Sequence, residues 1–356
     1  AGTPHVIRIK VPHNEDIRFY DQVRGWIKIQ SATIDDKILM KSDGIPTYHF
    51  ANVVDDHLMQ ISHVIRGEEW IPSTPIHILL YRYLGWEASA PKFVHLPLLL
   101  KPEGTGKLSK RDADKHGFPI FPIAWQDPHT GTTTPGFREQ GYLPQAMLNF
   151  LAMLGWSPGD NQELFDREAL ISAFSLERIG KAGVKFDIPK AAWFNQQYLR
   201  AQPSAQHMQH LQQDLAAHNI TATPEKVSHV CQLLLERAVF PHDFWQQGQY
   251  FFVAPTTYDR KVIAKRWTPP VCALLRALTT AWERLPVFEA HGIRETLMSL
   301  IEARDMKLNQ VMPAIRVALT GTGAGPDLMQ SIALSGRKES IARIETALAR
   351  HPVQDA

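Results

Sequence analysis

Cysteine is almost missing from this 356-residue chain, which has two, Cys231 and Cys272. Two thiols, each in an apolar stretch, exclude a disulfide framework and leave no thiolate cluster for zinc; they suit a reducing compartment. A dominant charge of one sign is missing too. The net charge is +2, so no overall basic field points to nucleic acid, and any such surface has to be a local patch. No run approaches the roughly 18 apolar residues of a membrane-spanning helix. No signal-peptide pattern is read at the start, and a cytoplasmic location is expected. No His-Glu-x-x-His, Gly-x-Ser-x-Gly or phosphate-loop signature occurs. What is present is ordinary for a globular protein, with 44% apolar and 21% charged residues. The length suits two or three domains, each with its own core.

The chain is organised around Ser42 to Trp70. Asp43-Gly44 is a turn dipeptide, and Pro46 and Thr47 suit the first positions of a helix. Tyr48 and Asn52, four apart, share one face of that helix, and Asp55, Asp56 and His57 follow along it. Ile61, His63 and Ile65 alternate with Ser62 and Val64 as a strand would. Arg66-Gly67-Glu68-Glu69-Trp70 then sets polar groups just past the strand's carboxyl end, where ligands sit in open α/β sheets.

Before this stretch, Ile7, Ile9 and Val11 alternate with Arg8 and Lys10, and Ile27 and Ile29 alternate with Lys28 and Gln30. Both read as strands, so residues 1–40 are β-rich and look like the end of an inserted domain. After it, Thr74 is placed to cap a second helix, with Pro75 in its first turn. Ile76, Leu79, Leu80 and Tyr83 form its apolar face, and Gly85 stops it. Phe93 to Leu100 is a nearly continuous apolar run, as a buried parallel strand requires. Alternating helices and strands imply about half of a doubly wound sheet. Residues 118–143 read as irregular, and His129-Thr130-Gly131 as a turn. Three helices follow: one opened by Pro144 with Met147, Phe150, Leu151 and Leu154 inward, one capped by Asp166, and one begun by Pro189. From about residue 200 only helical periodicity is found, as in Val227, Val230 and Leu234 or Ile341, Ile344 and Leu348.

Each motif has a plainer reading. Lys101 to Gly117, KPEGTGKLSKRDADKHG, places five basic side chains against three acidic ones before residue 116. It is suited to clamping phosphates, but a charge run alone reads as a solvated loop. The aromatics Phe244, Trp245, Tyr250, Phe251 and Phe252 could stack on bases; core packing is the simpler reading. Gly321, Gly323 and Gly325 imitate a dinucleotide fingerprint at the wrong spacing, so a loop before a helix is expected. The 16 histidines show no metal-pair spacing. Alone, Arg66 could be a structural ion pair and Tyr48 a packing residue.

Together the residues point further. Lys107-Leu108-Ser109-Lys110-Arg111 resembles the Lys-Met-Ser-Lys-Ser signature of class I aminoacyl-tRNA synthetases, in the form that the glutamyl branch uses. SDGIPTYHFANVVDDHL from Ser42 and HVIRGEEW from His63 resemble two further stretches of bacterial-type glutamyl-tRNA synthetases. The segment from Phe186 through Tyr198 and RVALTG from Arg316 extend the resemblance over nearly the whole chain.

The resemblance implies an α/β plus all-α architecture. Residues 1–40 would end an acceptor-binding insertion. Residues 41–106 would form the second half of a Rossmann-type catalytic domain. Residues 107–199 would hold the KLSKR loop and a stem-contact domain, and residues 200–356 a helical anticodon-binding domain. It implies a glutamate–tRNA ligase that activates glutamate with ATP and passes it to the 3′ end of a glutamate tRNA. Tyr48, Asn52 and Arg66 would bind glutamate, with Arg66 on its side-chain carboxylate. Glu69, the backbone near Leu99, Lys107, Ser109, Lys110 and Arg111 would bind ATP. Lys110, with Lys107, would stabilise charge developing on the phosphates. Magnesium would arrive with ATP; no protein-bound zinc, no membrane and a monomer are expected.

There are departures. Leu108 and Arg111 replace the Met and Ser of the general signature, although both lysines remain. The family's His-Ile-Gly-His motif is not found, so the first half of the nucleotide fold is expected to be absent and the chain alone inactive. The alternatives are a non-catalytic tRNA-binding fragment and a glutaminyl-tRNA synthetase. The latter family's carboxyl-terminal part is β-barrel, whereas residues 200–356 here read as helical.

Overall fold

A computed structural model of the chain describes residues 4–109, 112 and 117–352. It divides into two compact units, Ala1–Phe137 with Pro144–Phe194, and Arg138–Leu143 with Asn195–Ala356.

The first unit is built on a four-stranded sheet. Strand β1 (Ile7–Arg8) lies outside it, paired with β4 (Ile38–Met40). Strands β2 (Asp16–Asp21) and β3 (Gly25–Gln30) form an antiparallel hairpin. Strands β5 (His63–Gly67) and β6 (Lys92–Leu96) run parallel, and β6 also pairs in parallel with β2, giving the order β3-β2-β6-β5. Helix α1 (Tyr48–Leu58) precedes β5, and α2 (Thr74–Tyr83) makes the crossover from β5 to β6. Adjacent parallel strands need such a crossover. The core of this layer gathers Ile17 from β2, Val53 from α1, and Ile76, Leu79, Leu80 and Tyr81 from α2. Phe93, Val94 and His95 are buried on β6, which has a neighbouring strand on each side.

Several expectations change in detail. Strand β2 went unread because its alternation, DIRFYD, hides Ile17 and Phe19 among charges. It puts residues 16–30 in one sheet with β5 and β6, across the boundary expected at residue 40. Ile9 and Val11 are buried but lie beyond the two-residue strand β1. Pro46 bridges to Met40, and helix α1 starts after Thr47. Thr74 makes no cap bond; its hydroxyl turns to Arg66. The apolar run of Phe93 to Leu100 breaks into β6 and the short β7 (Leu99–Leu100). Pro97, which has no N–H to donate, falls in the break. Ile65, Tyr83 and Leu151 are exposed rather than inward.

Past β7, residues 118–143 contain a hairpin, β8 (Trp125–Gln126) with β9 (Thr133–Thr134). Asp127 Oδ1 accepts from His129 N and Thr130 N at its turn. Helix α3 (Pro144–Ala152) buries Phe150. Asp166 caps α4 (Arg167–Ala173) by accepting from Ala169 N at 2.7 Å. Strand β10 (Val184–Lys185) pairs in parallel with β7, and α5 (Ile188–Ala201) follows.

The second unit is helical, and among the described residues no strand follows β10. Helices α6 (Ser204–Ala217), α7 (Pro224–Leu234), α8 (Asp243–Gln246) and α9 (Arg260–Arg266) come first, and its core draws on α10 (Pro269–Glu283), α11 (Ala290–Glu302), α12 (Leu308–Thr320), α13 (Leu328–Ser335) and α14 (Arg337–Arg350). Of the aromatic run, Phe244, Tyr250 and Phe251 are buried and take the packing role. Arg343, itself buried, donates to Tyr250 O and Leu319 O and pairs with Glu339. The glycine run after Arg316 is a loop between α12 and α13.

Candidate active site

The site lies at the carboxyl end of β5. Thr47 N donates to Leu39 O and its hydroxyl to Ile38 O, which pins the start of α1 to β4. Val53 faces the core from α1 while Tyr48 is half-exposed. The Tyr48 ring lies against Trp70, with centroids 4.9 Å apart. Between these groups and the sheet runs Arg66, its guanidinium 5.8 Å from the Trp70 ring centre and 5.9 Å from that of Phe93.

Arg66 is held on two sides. Its Nε donates to His95 Nε2 at 3.2 Å, and its Nη2 donates to Thr74 Oγ1 at 2.9 Å. The remaining nitrogen, Nη1, is buried and has no hydrogen-bond partner. Burial lowers the affinity of this guanidinium for its proton, while the Tyr48 hydroxyl, Asp56 and Asp21 act the other way. An arginine stays charged through such a shift. Burial raises the Asp56 carboxyl from its usual range, while Arg66 and Asn52 act the other way, and Asn52 Oδ1 is buried without a partner. The strand thus offers one free guanidinium donor, and α1, one turn on from Tyr48, one free amide acceptor. That set suits a small molecule bearing both a carboxylate and an ammonium group.

The turn after β5 (Glu68–Ser73) carries the second half of the site. A Cβ at Gly67 would fall 2.1 Å from Glu69 Oε2, so glycine there lets the Glu69 side chain fold back on the strand end. Lys107 Nζ meets Glu69 Oε1 at 2.5 Å, and this contact holds the Glu69 carboxyl below its ordinary value. Leu99 O accepts from Leu108 N at 2.7 Å, which brings the start of the basic loop alongside β7. Ser109 donates through both N and Oγ to Asp112 Oδ2, whose other oxygen pairs with Lys101. Lys110 and Arg111 lie outside the described residues. Tyr48, Asn52 and Arg66 thus come together, as do Glu69, Leu99, Lys107 and Ser109.

Two residues that the sequence did not flag complete the arrangement. His95 and Asp21 are fully buried. Asp21 Oδ2 accepts from His95 Nδ1 at 2.6 Å and from His95 N at 3.1 Å; its Oδ1 accepts from Val23 N and Arg24 N. Burial pushes the Asp21 carboxyl upward, but the bonds from His95, Arg24 and Val23 outweigh it and leave it below its usual value. His95 was hidden inside an apolar run. A polar residue in the middle of such a run is the signal that could have found it, because buried polar groups need partners.

Residues 1–193 match the family described as tRNA synthetases class I (E and Q), catalytic domain, and residues 198–348 match the family described as anticodon binding domain. The chain is 62% identical over 348 residues to a protein of Amoebophilus asiaticus named glutamate–tRNA ligase. The chain belongs to the glutamate–tRNA ligase family. That alignment covers 98% of this chain and 68% of the relative's length. A glutamate–tRNA ligase of Cytophaga hutchinsonii is 53% identical with the same coverage. The crystal structure of a glutamate tRNA ligase from Elizabethkingia meningosepticum in complex with its amino acid superposes with a TM-score of 0.88 at 45% identity, over 98% of this chain and 69% of the other. Membership brings the class I synthetase catalytic domain and a helical anticodon-binding domain to one ligase chain. Among the described residues no helix is long and apolar enough to cross a membrane.

Proposed function

We propose that the first unit binds glutamate through Arg66, Tyr48 and Asn52, and binds ATP through Glu69, the backbone at Leu99, and the Lys107–Arg111 stretch. The observation that carries this reading is that Arg66 Nη1 and Asn52 Oδ1 are both buried without a hydrogen-bond partner. A planar guanidinium held on two sides offers its last edge to a carboxylate, and a carboxylate answers it better than an amide does. Asn52 Oδ1 would accept from the α-ammonium group. ATP would enter as its magnesium complex, with the metal carried by the phosphates. Glutamate's α-carboxylate then attacks the α-phosphorus, pyrophosphate leaves, and the acyl group passes to the terminal ribose of a glutamate tRNA. Lys107 and Lys110 would stabilise the charge that develops on the phosphates. A cytoplasmic monomer fits this work.

The second unit would read the anticodon of that tRNA. It holds a cleft of about 780 Å³ whose lining includes Arg237, Tyr250, Thr320 and Gly321. Just behind it Arg316 Nη1 is buried and unpartnered. Residues 107–199 would supply the contacts to the tRNA stem. Binding through phosphate contacts should weaken steeply with added salt, and a flat profile would argue against tRNA.

The test is Arg66→Ala in the full-length enzyme, assayed by glutamate-dependent exchange of pyrophosphate into ATP. Loss of a charge-assisted bond costs roughly 1.5–3 kcal/mol, or about 10- to 150-fold. That loss should appear in the KM for glutamate and leave the KM for ATP nearly unchanged. An equal rise in both would reject the side-chain role.

A further inference from the structure

Arg66 can select a carboxylate only if its free edge points one way, and nothing within its own strand fixes that direction. Its Nε–H needs an acceptor, and the one present is His95 Nε2, on the neighbouring strand β6. A histidine can accept there only if its proton sits on Nδ1. Asp21 Oδ2, 2.6 Å from Nδ1, takes that proton's hydrogen bond and so sets the tautomer. Asp21 is itself fixed by two backbone N–H groups of the β2–β3 turn. Thr74, fully buried at the start of α2, takes Nη2 and also lies 3.3 Å from His95 Nε2. Three adjacent strands and the crossover helix thus converge on one guanidinium, through side chains that reach no solvent.

We propose that His95, oriented by Asp21, is a positioning residue that aims Arg66 at the side-chain carboxylate of the amino-acid substrate. The inference rests on the reading of Arg66 given above. It accounts for two fully buried polar side chains on adjacent strands, His95 on β6 and Asp21 at the end of β2, at places where packing alone would favour Val or Ile. It also explains why the Nη1 edge is the free one, since Nε and Nη2 are both engaged.

The experiment compares His95→Asn, His95→Gln and Arg66→Ala in the full-length enzyme, with pyrophosphate exchange giving KM for glutamate and for ATP separately. An Asn amide can replace Nδ1 toward Asp21 but leaves Arg66 Nε without an acceptor; a Gln oxygen reaches the Nε2 position and restores one. The expected result is a rise of tenfold or more in the glutamate KM for His95→Asn, an ATP KM within twofold of the parent, and recovery of most of the loss in His95→Gln. A merely structural histidine would move both constants together and would not separate Asn from Gln, and either outcome overturns the proposal. If His95→Asn does not fold, His95→Phe decides. This change keeps a ring at the position and removes the Nε acceptor, and a glutamate KM that stays put overturns the proposal. If Arg66→Ala itself leaves the glutamate KM unchanged, the reading of Arg66 fails instead. If Arg66→Ala raises it and His95→Asn does not, only the positioning role fails.

Discussion

His77 is 98% shielded in α2, with its Nε2 3.1 Å from His49 Nδ1. Burial, and then the nearby Arg66, His49 and His95, push its pKa down to about 3 from the ordinary 6.5. Such a group is neutral in the folded chain and takes a proton in the unfolded one. Its contribution is therefore complete above pH 6.5 and is lost as the pH falls toward 3. Between pH 7.5 and 5.5 this linkage removes about 1.4 kcal/mol of stability. Urea unfolding at the two pH values should show a loss of that order in the parent and a clearly smaller one in His77→Gln. An equal loss in both would mean that other groups carry the acid sensitivity. At this scale the sequence showed the residues proposed here to face the ligands and gave little sign of what holds them. Tyr48, Asn52, Arg66 and Glu69 lie on spacings that a helix face and a strand end make visible. Asp21 and His95 meet across 74 positions, and no local pattern encodes such a contact. Thr74 looked like a cap because it precedes a Pro, yet its hydroxyl serves Arg66.

At the scale of elements, the helices were read from apolar spacing and from their ends, and most stand where the spacing put them. The strands fared worse. A buried pleat of two or three inward residues, as in β2, is too short to separate from a charged loop. Helix ends also differ among themselves in what they tolerate. Gly321 ends α12 with φ +77°, and a Cβ there would lie 2.5 Å from Thr257 O. That oxygen belongs to backbone, and the loop is tied again by Asp259 N donating to Gly321 O at 2.8 Å. Gly336, between α13 and α14, has φ +83° with open space around its Cβ position. Gly321 spares the left-handed penalty, on the order of 1 kcal/mol, while Gly336, at φ +83° and ψ 159°, lies in a region that essentially only glycine enters. Gly321→Ala adds a clash to that penalty and should cost about 2–3 kcal/mol in all. Gly336→Ala should cost about 2–3 kcal/mol from backbone strain alone, with no clash. Thermal melts of the two variants would check both, and a Gly336 variant as stable as the parent would contradict the backbone reading.

At the scale of the molecule, composition pointed to more than one core, and the chain has two compact units with different chemistry. The small net charge hid this division, because local placement rather than total charge determines what each unit can bind. If glutamate and ATP belong to the first unit and the anticodon to the second, each ligand should stabilise its own unit by mass action. At a concentration one hundred times its Kd, a ligand adds about 2.7 kcal/mol to the unit that binds it. Amide hydrogen exchange on the full-length enzyme can read the two separately. Glutamate with ATP should slow exchange in β5 and β6, and an anticodon stem-loop of a glutamate tRNA should slow it in α12 and α13. A stem-loop from a tRNA of unrelated anticodon should do neither at the same salt concentration. Protection of α12 by glutamate and ATP alone would argue that the units respond as one. Protection by any stem-loop alike would reduce the second unit to a phosphate-binding surface without anticodon preference.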